Sequence, residues 1–315
     1  MEPAGAVTVT LNAALDHSLE CAHFRAGEVN RVSAHWQTPG GKGVNVAAFL
    51  SGWVKPVAAA GFLGRDNAAP FEALFRERGI EDRCVRVAGE TRANLKVLDR
   101  ERDAVTDLNL PGVRVGPSEW SALLAQVDAL AHRQPLFVLA GSLPEGLPGD
   151  AYAQLVRRLR AAGCRVALDA SGAPLRHGVR ERPHLLKPNL RELEELVQRR
   201  LPDRAAVLAA ARGLVADGVE QVVVSLGAEG ALWVEARQAL YARPPAPERL
   251  VSTVGAGDAL LAGVLAGLAL GEPAAAALRR GTAFAVGTLG CAGPVLPGHA
   301  ELEALGARVQ VEEVR

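Results

Sequence analysis

Leu136 to Gly141 reads LFVLAG, Cys164 to Ala170 reads CRVALDA, and Gln221 to Gly227 reads QVVVSLG. Each is a short, largely apolar run. A strand covered on one face alternates apolar with polar, whereas a strand covered on both faces stays apolar. Helical spacing fills the gaps at Ser118 to His132, Asp150 to Ala162, Arg191 to Arg199 and Ala205 to Ala216, and HLLKPN (184–189) ends a further strand. Strands alternating with helices predict a mainly parallel sheet covered by helices on both faces. Towards the N-terminus, VTVTL (Val7–Leu11) predicts a first strand and VNVAAFLSGW (from Val44) a helix. Towards the C-terminus, two apolar helices, about 256–270 and 273–289, are expected to close the chain.

Two stretches break this rhythm. Glu20 to Gln37 is mixed and partly alternating. In 83–109 the runs RCVRVAG, RANLKVLD and AVTDLNL alternate, separated by GE and RERD. That pattern predicts an antiparallel meander. About 18–37 and 83–109 together predict a small β-sheet lid on one α/β unit spanning 1–315.

Composition bounds the function. The 315 residues are 49% hydrophobic and 22% charged, which suits a globular core. Lys+Arg and Asp+Glu are both 35, so the net charge is zero. Coating nucleic acid or an anionic membrane needs excess positive charge, and neither is expected. With 4% aromatics, stacking platforms for single-stranded nucleic acid are scarce. Cys21, Cys84, Cys164 and Cys291 are far apart and form no CxxC pair, as in a reducing cytosol. No signal-peptide pattern opens the sequence. The apolar stretch Ala256 to Leu270 is shorter than the roughly 20 residues a membrane span needs. A cytoplasmic protein is expected.

The chemistry-bearing segments follow strands or open helices. Ser252-Thr253-Val254-Gly255-Ala256-Gly257-Asp258 precedes a helix whose leading amides and dipole make an anion site. A carboxylate at Asp258 is held as an anion there, hence a weak base, which suits phosphoryl transfer. Its plain alternative is an acid that only complements the dipole. No Walker A motif occurs, and the spacing is not that of a dinucleotide loop. Gly40-Gly41-Lys42-Gly43-Val44-Asn45 offers bare backbone at a helix start, open to a polyol or simply a flexible turn.

In Thr91 to Val97, Arg92, Asn94 and Lys96 share one strand face. Two cations on one face repel unless an anion joins them, and a sugar phosphate would do so. In Lys187-Pro188-Asn189-Leu190-Arg191-Glu192, Asn189 and Glu192 have capping-box spacing. The same pair suits water-mediated contact with Mg²⁺. Ser225, Gly227 and Gly230 lie in a glycine turn after a strand, beside a nucleotide or in an ordinary hairpin. Gly141-Ser142-Leu143-Pro144 closes another strand, and Asp16 follows the first one, suited to sugar hydroxyls or to a plain loop.

In this order the segments resemble the ribokinase/PfkB carbohydrate kinase family over nearly the whole chain. STVGAGDALLAG resembles its C-terminal signature and GGKGVNVA its N-terminal one. TLNAALD, TRANLKV, TDLNLPG, GSLP, KPNLREL and SLGAEGALWV are most similar to the branch acting on fructose 1-phosphate, with tagatose-6-phosphate kinases close by.

The resemblance implies a ribokinase-like three-layer α/β sandwich with a β lid. It implies transfer from ATP to the 6-hydroxyl of a ketose phosphate, giving fructose 1,6-bisphosphate from fructose 1-phosphate. Asp258 would be the base, and the amides of Gly255, Ala256 and Gly257 the anion hole. Asp16, Gly40, Gly41, Asn45 and Asn94 would meet the sugar, and Lys42, Arg92 and Lys96 its phosphate. Lys187, Asn189, Ser225, Gly227 and Gly230 would line the ATP side, with Glu192 near Mg²⁺. The lid would close over the sugar and form a homodimer contact. Tagatose 6-phosphate or fructose 6-phosphate as substrate, or a non-catalytic sugar-phosphate sensor, are the other readings. Ala13 stands where relatives carry Pro, and Ala140 where they carry Ser.

Overall fold

The computed structural model describes residues 5–99, 101–102, 104–291, 293 and 295–314. Arg100 and Asp103 of the RERD break lie outside them. The strands are β1 (Ala6–Thr10), β2 (Ala14–Cys21), β3 (Ala34–Gly40), β4 (Val57–Gly64), β5 (Ile80–Val87), β6 (Arg92–Asp99), β7 (Ala104–Asn109), β8 (Leu136–Ala140), β9 (Arg165–Asp169), β10 (Leu185–Leu186), β11 (Gln221–Ser225), β12 (Ala231–Glu235), β13 (Ala239–Arg243) and β14 (Gln310–Glu313). The helices are α1 (Lys42–Leu50), α2 (Ala69–Arg78), α3 (Pro117–Ala131), α4 (Ala151–Ala161), α5 (Gly172–Arg180), α6 (Leu190–Val197), α7 (Arg204–Ala216), α8 (Ala256–Ala269), α9 (Ala274–Leu289) and α10 (His299–Arg308).

The main sheet runs β14-β13-β12-β11-β10-β9-β8-β1-β4-β5. Strands β5 to β11 in this order are parallel, and β12, β13 and β14 add antiparallel to one edge. Alternate residues of each inner strand feed opposite faces. Val7, Val9, Phe137 and Leu139 pack with α3, α4, α5, α6 and α7. Ala6, Val138 and Ala140 pack with α1, α2, α8, α9 and α10. Two apolar faces explain the unbroken apolar runs, and the layers are helix, sheet, helix.

The small sheet has the order β3-β2-β6-β7. Here the expected lid boundaries change. Residues 80–87 are not part of a meander: β5 lies parallel to β4 at the edge of the main sheet. An edge strand is half exposed, so its side chains alternate without any antiparallel partner. Within 83–109 the antiparallel pair is β6 with β7; β6 joins β2 in parallel, and β2 pairs antiparallel with β3. Asp16 and Gly40, expected in loops, stand on β2 and β3. The chain also continues past α9 into α10 and β14, so two helices do not close it.

Candidate active site

The carboxyl ends of the parallel strands share one edge of the sheet. Asn12 follows β1, Gly141 and Ser142 follow β8, Asp169 ends β9, and Lys187 follows β10. The N-termini of α1 and α8 reach the same edge. Crevices at the carboxyl ends of open α/β sheets are where ligands bind.

Its centre is a cluster of three carboxylates and two lysines. Asp169 is fully buried. Lys42 donates a hydrogen bond to Asp169 Oδ1 at 2.7 Å, and Lys187 Nζ lies 3.1 Å from Oδ2 as an ion-pair contact. Lys42 also stands 3.7 Å from Glu192 Oε1. Burial alone would push the Asp169 carboxyl up, but Lys187 and Lys42 outweigh it and hold the group below the usual carboxylate range. Burial would lower Lys42 as well, yet Asp169 and Glu192 reverse that and keep it charged.

Asp258 sits in the first turn of α8, 7% exposed, and accepts a hydrogen bond from Asn45 Nδ2 at 2.8 Å. Its pKa is pushed up to about 6, first by burial and then by the Asp169 charge. The bond from Asn45 and the two lysines recover only part of that shift. This corrects the expectation of a weak base. A helix N-terminus does favour the anion, but loss of water and a second carboxylate win. Asp258 can therefore take up a proton near neutral pH.

Gly255, at φ 85°, turns the chain left-handed into α8 and supplies no side chain to cap it. The leading amides of a helix have no intrahelical acceptor, so those of Gly255 and Gly257 can face an anion, while Ala256 N makes a long bond to Thr253 O at 3.4 Å. Lys187 Nζ is 3.5 Å from where a Cβ on Gly257 would stand. Anion site, lysine and carboxylate thus occupy one corner.

The KPNLRE segment forms a reciprocal cap. Asn189 Oδ1 accepts from Glu192 N at 2.8 Å, and Glu192 Oε2 accepts from Asn189 N at 2.9 Å. The structural explanation holds in full, but it uses one Glu192 oxygen and leaves Oε1 towards Lys42. Ser225 N donates to Pro188 O at 3.1 Å, which sets the β11 end beside this cap. Gly227 and Gly230 lie in the tight turn from β11 to β12. That turn is a true hairpin, placed at the carboxyl edge.

The small sheet brings a second group. Arg92, Asn94 and Lys96 share one face, as their spacing predicted, and Asp16 joins them from β2. Asn94 Nδ2 donates to Asp16 Oδ1 at 2.9 Å and Lys96 Nζ to Oδ2 at 2.6 Å. Asp16 therefore offsets one of the two cations. Arg92 Nη1 donates to Asn94 Oδ1 at 2.9 Å. Gly40 leaves room for this carboxylate, since a Cβ there would stand 2.9 Å from Asp16 Oδ2. Gly41 caps α1. Lys42 departs from its expected grouping: its ammonium joins Asp169 and Glu192 rather than the Asp16 group.

Two residues of the site escaped the sequence reading. Asp169 signals itself only as a lone carboxylate ending an apolar strand. Asn12 lies in the turn after β1 and donates to Ser142 Oγ at 3.0 Å. Two cavities lie elsewhere: about 170 Å³ beside Leu136 and Leu268, and about 230 Å³ beside Trp53 and Gly306. Neither is lined by Asp258, Asp169, Lys42 or Lys187.

Known proteins are similar to this chain over most of its length. The pfkB family carbohydrate kinase profile matches residues 8–299. A 1-phosphofructokinase of Rhodobacter capsulatus is 44% identical over 306 residues, 97% of this chain and 96% of its own. A 1-phosphofructokinase of Xanthomonas campestris is 48% identical over 269 residues, 84% of each chain. The crystal structure of phosphofructokinase-2 from Escherichia coli with substrates and products superposes at a TM-score of 0.88 with 28% identity, covering 96% of this chain and 98% of that one. A chain with this sheet, this cleft and these relatives belongs to the pfkB family of carbohydrate kinases.

Proposed function

We propose that the protein transfers the γ-phosphoryl group of ATP to the 6-hydroxyl of fructose 1-phosphate, giving fructose 1,6-bisphosphate. The observation that carries this reading is the corner where buried Asp258, the leading amides of α8 and Lys187 meet. Relatives named 1-phosphofructokinase over nearly the full chain support the choice of sugar.

The residues divide the work. Asp258 Oδ2 is held by Asn45, which aims the carboxylate at an incoming hydroxyl. As the hydroxyl oxygen bonds to phosphorus and the bond to ADP breaks, the proton passes to Asp258. Positioning and charge stabilisation supply most of the rate in phosphoryl transfer. The Gly255, Ala256 and Gly257 amides and Lys187 face the charge on the transferring group. Asn189, Ser225, Gly227 and Gly230 border the nucleotide, and the Asp16, Asn94 and Lys96 group meets the sugar.

Mg²⁺ fits this donor set. Among the described residues, no group of three or more His, Cys, Asp or Glu forms a metal cage. Mg²⁺ on a nucleotide keeps several waters and needs no such cage. Glu192, whose Oε1 is free of the cap, would hold it through water. When bound, the ion neutralises charge on the nucleotide phosphates.

The small sheet, as a lid, would exclude water over the sugar. Its far side would seat a second copy: Leu108, paired with Leu95 on the face away from Asn94 and Lys96, and Leu110 beyond it are exposed apolar residues on and beside the edge strand β7. Four free cysteines suit a reducing cytoplasm. Asp258→Asn tests the central step. Turnover should fall by about 10²- to 10⁴-fold, with ATP and sugar phosphate still bound in calorimetry. Near-normal kcat would refute this role for Asp258.

A further inference from the structure

Two buried polar atoms at the sugar side of the cleft lack partners among the described residues, and they lie about Gly112. Asn12 Nδ2 donates to Ser142 Oγ at 3.0 Å and points to Leu143 O at 3.4 Å. A carbonyl oxygen only accepts, so the amide group facing Leu143 is the NH₂. Oδ1 is turned the other way, buried, and accepts from nothing. Arg92 is spent on Asn94 through Nη1, but its Nε is buried and donates to nothing. A Cβ on Gly112 would stand 2.2 Å from Asn12 Oδ1 and 3.5 Å from Arg92 Cδ. Both side chains therefore pack against the bare face of Gly112, where the Asn12 oxygen takes the place a Cβ would need.

A buried polar atom left unpaired costs about 1–3 kcal/mol. Two in one place, one acceptor and one donor, form a matched pair waiting for a third group. We propose that Asn12 Oδ1 and Arg92 Nε together read one hydroxyl of the ketose phosphate, which donates to Asn12 and accepts from Arg92. This rests on the sugar-phosphate reading above and names a specificity residue within it. A phosphate dianion accepts from arginine but has no proton for Asn12, whose oxygen repels it. The pair admits a hydroxyl and rejects a phosphate at this spot, so it decides which way round the sugar phosphate lies. Arg92 then serves two groups, with its Nε on the hydroxyl and its Nη end towards the phosphate.

The test is a cycle in which the hydroxyl and Asn12 are removed separately and together. Steady-state kcat/KM is measured for fructose 1-phosphate and its 3-deoxy and 4-deoxy analogues, with wild type and Asn12→Ala. One analogue should lose about tenfold or more on wild type. Asn12→Ala should lose a similar factor on fructose 1-phosphate and nothing further on that analogue. Gly112→Ala, which crowds Asn12 Oδ1, should show the same selective loss.

Ser142→Ala controls for the loop tie. If Asn12 only ties loops together, Ser142→Ala will reproduce its effect and all sugars will suffer equally. Losses that multiply, or a loss under twofold in Asn12→Ala, would overturn the proposal. If wild type instead turns over another ketose phosphate, the sugar assignment above fails. The same cycle on that sugar's deoxy analogues still decides the role of Asn12.

Discussion

Asp258 concentrates the chemistry in one carboxylate whose surroundings set its basicity. Burial and Asp169 raise it to about 6, so it is charged at pH 7 to 8 and protonated in mild acid. The proposed role as base needs the charged form. kcat/KM should therefore be level at neutral pH and fall about tenfold per unit once pH drops below about 6. Asp169→Asn removes one cause of the rise and leaves the charges of Lys42 and Lys187 less offset, so the acid limb should move to lower pH. A pH–rate profile of the two proteins checks both points. Much of this residue-scale picture was legible beforehand, because glycine turns and their neighbouring carboxylates announce themselves at strand ends. Arg92, Asn94 and Lys96 were placed by strand period alone. Asp169 was not, since a single acid in CRVALDA has no spacing to mark it. Nor was the position of Lys42, because a long side chain at a helix start can swing to either side of the cleft.

At the scale of elements, α6 and its cap do two things at once. Asn189 and Glu192 satisfy the first amides of the helix, and Glu192 Oε1 still faces Lys42. The two roles separate by mutation. Glu192→Gln keeps an oxygen for the cap but removes the charge, so melting temperature should hold while the Mg²⁺ concentration for half-maximal activity rises. Asn189→Ala removes the cap acceptor and should cost about 1 kcal/mol of stability in a denaturant titration. Apart from α5 and the short β10, the strands and helices of residues 118–227 were predicted within a residue or two, because each is a continuous apolar or helical-period run with a terminating loop. Elements with mixed signals were not. Gly172 to Arg180 forms α5 despite its glycines and proline, ordered by Leu175 packing into the core. Strand β5 copied the alternation of a hairpin because half of it faces solvent.

At the scale of the whole molecule, zero net charge recurs at the site. Lys42, Lys187, Arg92 and Lys96 stand among Asp16, Asp169, Glu192 and Asp258. Anionic substrates are met there by placed donors and the positive end of α8 rather than by an excess of charge. The small sheet is the part least constrained by the core, and its exposed Leu108 and Leu110 are what a second copy would cover. Changing both to Asp should convert a dimer to a monomer by light scattering and weaken sugar binding more than ATP binding. An unchanged mass would remove that interface.

The choice of sugar depends on which end of the molecule lies beside Asp258, a property of the closed cleft as a whole. It is tested most directly by kcat/KM with MgATP for fructose 1-phosphate, tagatose 6-phosphate and fructose 6-phosphate. Fructose 1-phosphate should lead by a wide margin and yield fructose 1,6-bisphosphate. A clear preference for either 6-phosphate would contradict the proposed function.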